Sequence, residues 1–158
     1  MFDYFLKIDG VPGESTDDRH KGEIDVASWS WGESQTVITS GSGGSTAGRV
    51  SMRNLQFAMR VNKASPHLML ACASGKRIAA AVLTCRSAGD QQQDFLLIRL
   101  SNVLVSSFEM TGQQQSPLMD SALLSFAKIE IEYRELSPTG AMATPIKVGW
   151  DVAANKPV

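Results

Sequence analysis

Trp29 and Trp31 stand one residue apart with Ser30 between them, inside the stretch Glu23-Ile24-Asp25-Val26-Ala27-Ser28-Trp29-Ser30-Trp31-Gly32-Glu33-Ser34-Gln35. Successive side chains of a strand point to opposite faces, so a spacing of two puts both indoles on one face. Ser28, Ser30 and Gly32 then take the other. Such a strand has a core on its aromatic side and solvent or a partner on its small polar side. Trp29 and Trp31 are therefore expected in the structural core. Directly after it comes Thr39-Ser40-Gly41-Ser42-Gly43-Gly44-Ser45-Thr46-Ala47-Gly48, almost pure Gly, Ser, Thr and Ala. This reads as a flexible loop. One so long is uncommon inside a compact domain unless it has a task. Docking on a neighbouring subunit, with order gained only there, is one such task.

The chain has 158 residues, which suits a single domain over 1–158. A domain of that size buries roughly 70% of the surface its unfolded chain exposes, and needs neither disulfides nor a metal to fold. Net charge is −1, so nothing draws the chain as a whole to nucleic acid or to an anionic membrane. No stretch approaches the roughly 20 apolar residues of a membrane span. Asp3 and Lys7 interrupt the N-terminus, so it does not read as a signal peptide. The chain is expected to start as a soluble cytoplasmic protein. Cys72 and Cys85 stand alone, with no CxxC and no companion histidine at ligand spacing. They read as small buried hydrophobes in a reducing compartment, with a disulfide as the alternative.

Strands are expected at Phe2–Ile8, along the tryptophan stretch, and over the long segment 49–61. Further strands are expected at 78–86, 94–101, 103–111, 123–135 and 146–152, by β-branching or alternation. Glu14 to Gly22, with Asp17, Asp18, Arg19, His20 and Lys21, reads as a solvated loop. Asp90-Gln91-Gln92-Gln93 and Gly112 to Pro117 read as loops too. One helix is expected, over about 66–74. Ser65 would cap it, Pro66 would open it, and Gly75 would end it in a left-handed conformation. Leu68, Met69 and Cys72 would face the core. Many strands, one short flanking helix and no βαβ rhythm predict a mainly β fold, an antiparallel barrel or sandwich of two sheets.

No catalytic set emerges. His20 and His67 are the two histidines, and neither HExxH nor a Ser-His-Asp arrangement can be assembled. Gly43-Gly44-Ser45-Thr46-Ala47-Gly48-Arg49-Val50 spaces two glycines like a phosphate loop. Yet Arg49 replaces the lysine, Val50 replaces the magnesium-binding hydroxyl, and a strand follows instead of a helix. Between Arg49, Arg53, Arg60 and Lys63 stand Leu55, Phe57, Met59 and Val61, which give no aromatic stacking platform for a nucleic acid. No enzyme activity, cofactor or metal is expected.

The ordered set of segments resembles the Hcp family, the hemolysin-coregulated tube proteins of type VI secretion. It runs through Phe5-Leu6-Lys7-Ile8, Val11-Pro12-Gly13-Glu14-Ser15, Glu23-Ile24-Asp25-Val26 and Trp29-Ser30-Trp31-Gly32. The glycine-rich segment ending at Gly48, Ser65-Pro66-His67-Leu68-Met69 and Ala71-Cys72-Ala73-Ser74-Gly75 continue it. Val103-Leu104-Val105-Ser106-Ser107, Ser125-Phe126-Ala127 and Lys147-Val148-Gly149-Trp150 complete it. Arg49-Val50-Ser51-Met52-Arg53 departs from the acidic or amide-rich start that family members often carry there. The glutamine runs also look particular to this chain.

The resemblance implies a small β-barrel that forms homohexameric rings with a wide channel. Rings would stack into a tube inside a contractile sheath, capped by a VgrG-type spike. Small effectors would ride in the lumen, and the tube would leave the bacterial cytoplasm by a route independent of a signal peptide. The sequence ends soon after Trp150, which implies that no C-terminal toxin domain is attached. On this reading Ser28 and Ser30 line the lumen, and residues Thr39 to Gly48 reach an adjacent subunit or ring. The alternative is a monomeric β-barrel that binds a ligand or serves as an adaptor.

Overall fold

The computed structural model of the chain describes residues 1–89, 92–141 and 143–158. Part of the expected loop at Asp90 and Gln91 therefore lies outside the described residues. Twelve strands and one helix occur among those described: β1 (Phe2–Ile8), β2 (Ile24–Asp25), β3 (Ser28–Ser30), β4 (Glu33–Thr39), β5 (Ser45–Met52), β6 (Leu55–Arg60), α1 (Ala64–Ser74), β7 (Ile78–Ser87), β8 (Asp94–Thr111), β9 (Met119–Ser125), β10 (Lys128–Tyr133), β11 (Ile146–Asp151) and β12 (Lys156–Pro157). One antiparallel sheet runs β12-β11-β10-β8-β7-β1-β2, and a second runs β3-β6-β9-β8. The mainly β, two-sheet architecture with one helix is the one expected from sequence.

β8 belongs to both sheets. Its first half pairs with β7 and β10, and its second half pairs with β9. The sequence suggests two strands here, 94–101 and 103–111, and the structure shows that the buried alternation changes phase between them. Ile98 and Leu100 are buried on one side of Asn102, Val103 and Val105 on the other. Asn102 adopts φ +55°, a left-handed conformation that asparagine tolerates better than most residues. That single residue turns the pleat over, so both halves aim their apolar side chains into one core. Leu6, Leu55, Phe57, Met59, Leu83 and Leu124 fill that core, each no more than 1% exposed.

The tryptophan stretch is not one strand. It divides into β2, β3 and the start of β4. Trp29 and Trp31 pack against the core but remain partly exposed, so they form its rim. Residues 49–61 are likewise broken, between β5 and β6. Residues 123–135 divide into β9 and β10 around Phe126 and Ala127.

Helix α1 starts earlier than expected, and Ser65 does not cap it. The N-cap is Lys63, which makes no side-chain cap bond. Asn62 Oδ1 instead accepts the amide of Ala64 at 2.8 Å. Gly75 ends the helix at φ +64°, as expected. The buried face is Ala64, Ser65, Leu68 and Ala71, while Met69 is 54% exposed. The helix packs on β8.

The loop from Glu14 to Gly22 is solvated at most of its positions, but it is anchored at three. Ser15 and His20 are buried, and Asp17 pairs with the buried Arg86. The segment folds over the outer side of β1 and β7.

Candidate functional site

The glycine-rich residues form a β-hairpin arm and not a loop. Ser45 to Gly48 belong to β5, which pairs with β4 from Glu33↔Met52 to Thr39↔Ser45. The turn is confined to Ser40–Gly44, closed by Ser40 N–H donating to Gly44 O at 3.0 Å. Near the middle the register slips between Gln35 and Val37. Gly48 faces Thr36 there, and a Cβ on Gly48 would stand 2.9 Å from the Thr36 carbonyl oxygen. At Gly48, then, the absence of a side chain serves close strand pairing. The arm pairs with neither main sheet, and Val37 and Ile38 are 63% and 55% exposed on it.

At the base of the arm lies an open, mainly apolar cleft of about 630 Å³. Trp31, Val50 and Met52 line one side, and Ile129, Ile131 and Trp150 the other. The indole N–H groups of Trp31 and Trp150 are both buried without an acceptor. Beside it, Ile146 and Val148 on β11 are 68% and 64% exposed, because β12 covers only Trp150 and Asp151. Sequence reading missed this cleft, whose two tryptophans come from opposite ends of the chain.

Ser28 and Ser30 are both exposed on β3, with Trp29 turned inward between them. They pair with Ala58 and Gln56 of β6, and those in turn with Ser121 and Leu123 of β9. Gln56 Nε2 donates to Ser121 Oγ at 3.5 Å. The outer face of the second sheet is therefore mixed, with Ser28, Ser30, Gln56 and Ser121 beside Ala58 and Leu123. At its Ser30 end a groove of about 420 Å³ is lined by Arg53, Asn54 and Gln56. The alternation of Gln56, Ala58 and Arg60 with buried Leu55, Phe57 and Met59 carried the signal for this face.

The histidines are not brought together. His67 is exposed on α1, and His20 is held between Glu23 and Asp94. Among the described residues no group of three His, Cys, Asp or Glu side chains could hold a metal. No helix there is long and apolar enough to cross a membrane.

Residues 5–133 match the family described as "Type VI secretion system effector, Hcp". The chain belongs to the Hcp family. The Hcp1 protein of Pseudomonas aeruginosa is 41% identical over 156 residues, covering 97% of this chain and 96% of the relative. The solved structure of Hcp1 from Salmonella typhimurium superposes with a TM-score of 0.82 at 34% identity, over 99% of both chains. A structure described as a type six secretion system protein reaches 0.94 at 26% identity over the full length of both. This Hcp protein is thus an effector or tube protein of type VI secretion, as the sequence resemblance implied.

Proposed function

We propose that this Hcp chain is a structural subunit whose copies join head to tail into hexameric rings. The rings stack into a tube inside a contractile sheath, beneath a VgrG-type spike. Made in the bacterial cytoplasm, the tube is expelled without a signal peptide and carries small effectors along its channel. The role is architectural and not catalytic.

The observation that carries this reading is the pairing of two unlike, unpartnered surfaces on one chain. A closed head-to-tail ring needs one surface that gives and a different one that receives. The arm, with Val37 and Ile38 exposed, supplies the first. The cleft of Trp31 and Trp150, flanked by the open stretch of β11, supplies the second. The Ser28 and Ser30 face would then line the channel, where small hydroxyls keep it wide and wet.

The native mass of the purified protein, with negative-stain images of the same fraction, tests it. Six-subunit rings with an open centre are expected, and Ile38→Asp should yield folded protein without them. A monomer at all concentrations overturns the tube reading. A second reading, a monomeric ligand binder, draws on the cleft's volume, which falls in the range of small-molecule sites. Native mass separates the two.

A further inference from the structure

Phe5 is the centre of a charged cluster on the outer face of the first sheet. Register sets Asp3 opposite Arg86, and Phe5 between Thr84 on β7 and Asp25 on β2. The His20 ring stacks on Phe5 at 4.3 Å between centroids, with the planes 9° apart. The Arg86 guanidinium carbon lies 4.8 Å from the centroid of the same ring. Arg86 reaches Asp17 at 2.8 Å and Asp3 at 3.1 Å.

His20 itself is 6% exposed. Its Nδ1 lies 3.0 and 3.1 Å from the two carboxylate oxygens of Glu23. Its Nε2 lies 3.2 and 3.3 Å from those of Asp94 on β8. A neutral imidazole donates from one nitrogen and offers a lone pair on the other. A lone pair facing a carboxylate has no proton to accept. The geometry is satisfied on both sides by the two-proton imidazolium.

Two cations, His20 and Arg86, then face the carboxylates of Asp3, Asp17, Glu23 and Asp94, with Asp25 adjoining. Asp18 and Lys21 of the same segment are exposed. Removing one proton from His20 takes away one of the cluster's two positive charges. It also leaves Glu23 or Asp94 against a lone pair.

The segment that carries His20 is a self-contained fold-back. Gly13 N–H donates to Gly22 O, Gly22 N–H to Ser15 O, and Ser15 N–H to Glu23 O. Among the described residues its side-chain ties to the β8 end of the sheet are His20 to Asp94 and Arg19 Nη1 to Gln92 O, while Asp17 pairs with Arg86 on β7 and Glu14 Oε2 accepts the Lys63 amide. We propose that His20 is a proton-operated latch. With two ring protons it clips the 13–23 segment to β8, and loss of one releases that segment while both sheets stay folded. The inference rests on this cluster and is independent of ring assembly.

Amide hydrogen exchange of Gly13, Ser15 and Gly22 in the full chain, between about pH 5 and 9, reads the latch directly. Rates are corrected for the intrinsic pH dependence of exchange, and the His20 ring is followed by NMR in the same samples. Protection of these amides is expected to fall about tenfold as the ring loses its proton, the scale of a charged hydrogen bond. Amides of β6 and β9 should not follow. His20→Gln, which cannot take the charge, should lack the extra protection even at the acid end. Protection unchanged across loss of the ring proton overturns the latch. So does a His20→Gln protein as protected as the parent at the acid end.

Discussion

The Ser65 hydroxyl donates a 2.5 Å hydrogen bond to Asp120 Oδ2 in the middle of the core, where the two residues are 2% and 1% exposed. Ser65 Oγ also accepts the Asn62 amide at 3.0 Å. One hydroxyl therefore joins the start of α1 to β9. Ser65→Ala would leave a buried carboxylate group short of a donor. A loss of about 2–3 kcal/mol is expected, read from urea unfolding, and most of it should vanish in a background where Asp120 is already alanine.

Arg86 holds the Asp17 carboxyl down at about 2, chiefly through its hydrogen bond and with help from the Arg19 and His20 amides. A depressed carboxylate stabilises the folded state above its unfolded value near 4 and stops doing so as pH falls through about 2. Stability of the parent should thus drop between about pH 4 and 2 more steeply than that of Asp17→Asn. Unfolding midpoints across that range decide it. Parallel curves would remove Asp17 from the acid response.

Burial pushes the Cys85 thiol up to about 11, against a smaller opposing effect of the Trp29 indole N–H that donates to it. Cys72 is partly exposed on α1, and both cysteines are free. A thiol reagent at neutral pH should titrate one group in the native protein and two after denaturation. Two rapid equivalents in the native state would contradict the packing of β7.

Ser42 occupies the tip of the arm. In a Cys72→Ser background, Ser42→Cys should crosslink between copies in assembled tubes and not in dilute monomer. Absence of any crosslink in tubes would detach the arm from assembly.

Ser30→Gln adds bulk to the exposed face of β3. Rings are expected to persist while bound effector is lost, measured by co-purification. Retained cargo would move the lumen face elsewhere.

Much of the fold is legible in the sequence where one face is buried. β1 and β10 follow from alternation, and Gly75 ends α1 as its chemistry requires. Failures occur where a long-range contact outweighs a local preference. Ser65 looks like a cap, but it is the second residue of the helix and its hydroxyl bonds a carboxylate on β9. His20 looks solvated because Phe5, Asp94 and Arg86, which enclose it, come from three different strands. The glycine-rich segment has the composition of a linker, and only the facing strand Glu33–Thr39 reveals that it pairs. Ser28 and Ser30 could be placed outward from period two alone. The cleft could not, since nothing local links Trp31 to Trp150.

The left-handed turn of Asn102 has a mechanical consequence. β8 runs unbroken from one sheet into the other. Sliding one sheet over the other would therefore strain a continuous covalent backbone, and not merely shear the apolar layer between them. An axial push delivered to either sheet is carried into the other along the same peptide chain. In the tube subunit proposed above, that shared strand would work as a tie-rod.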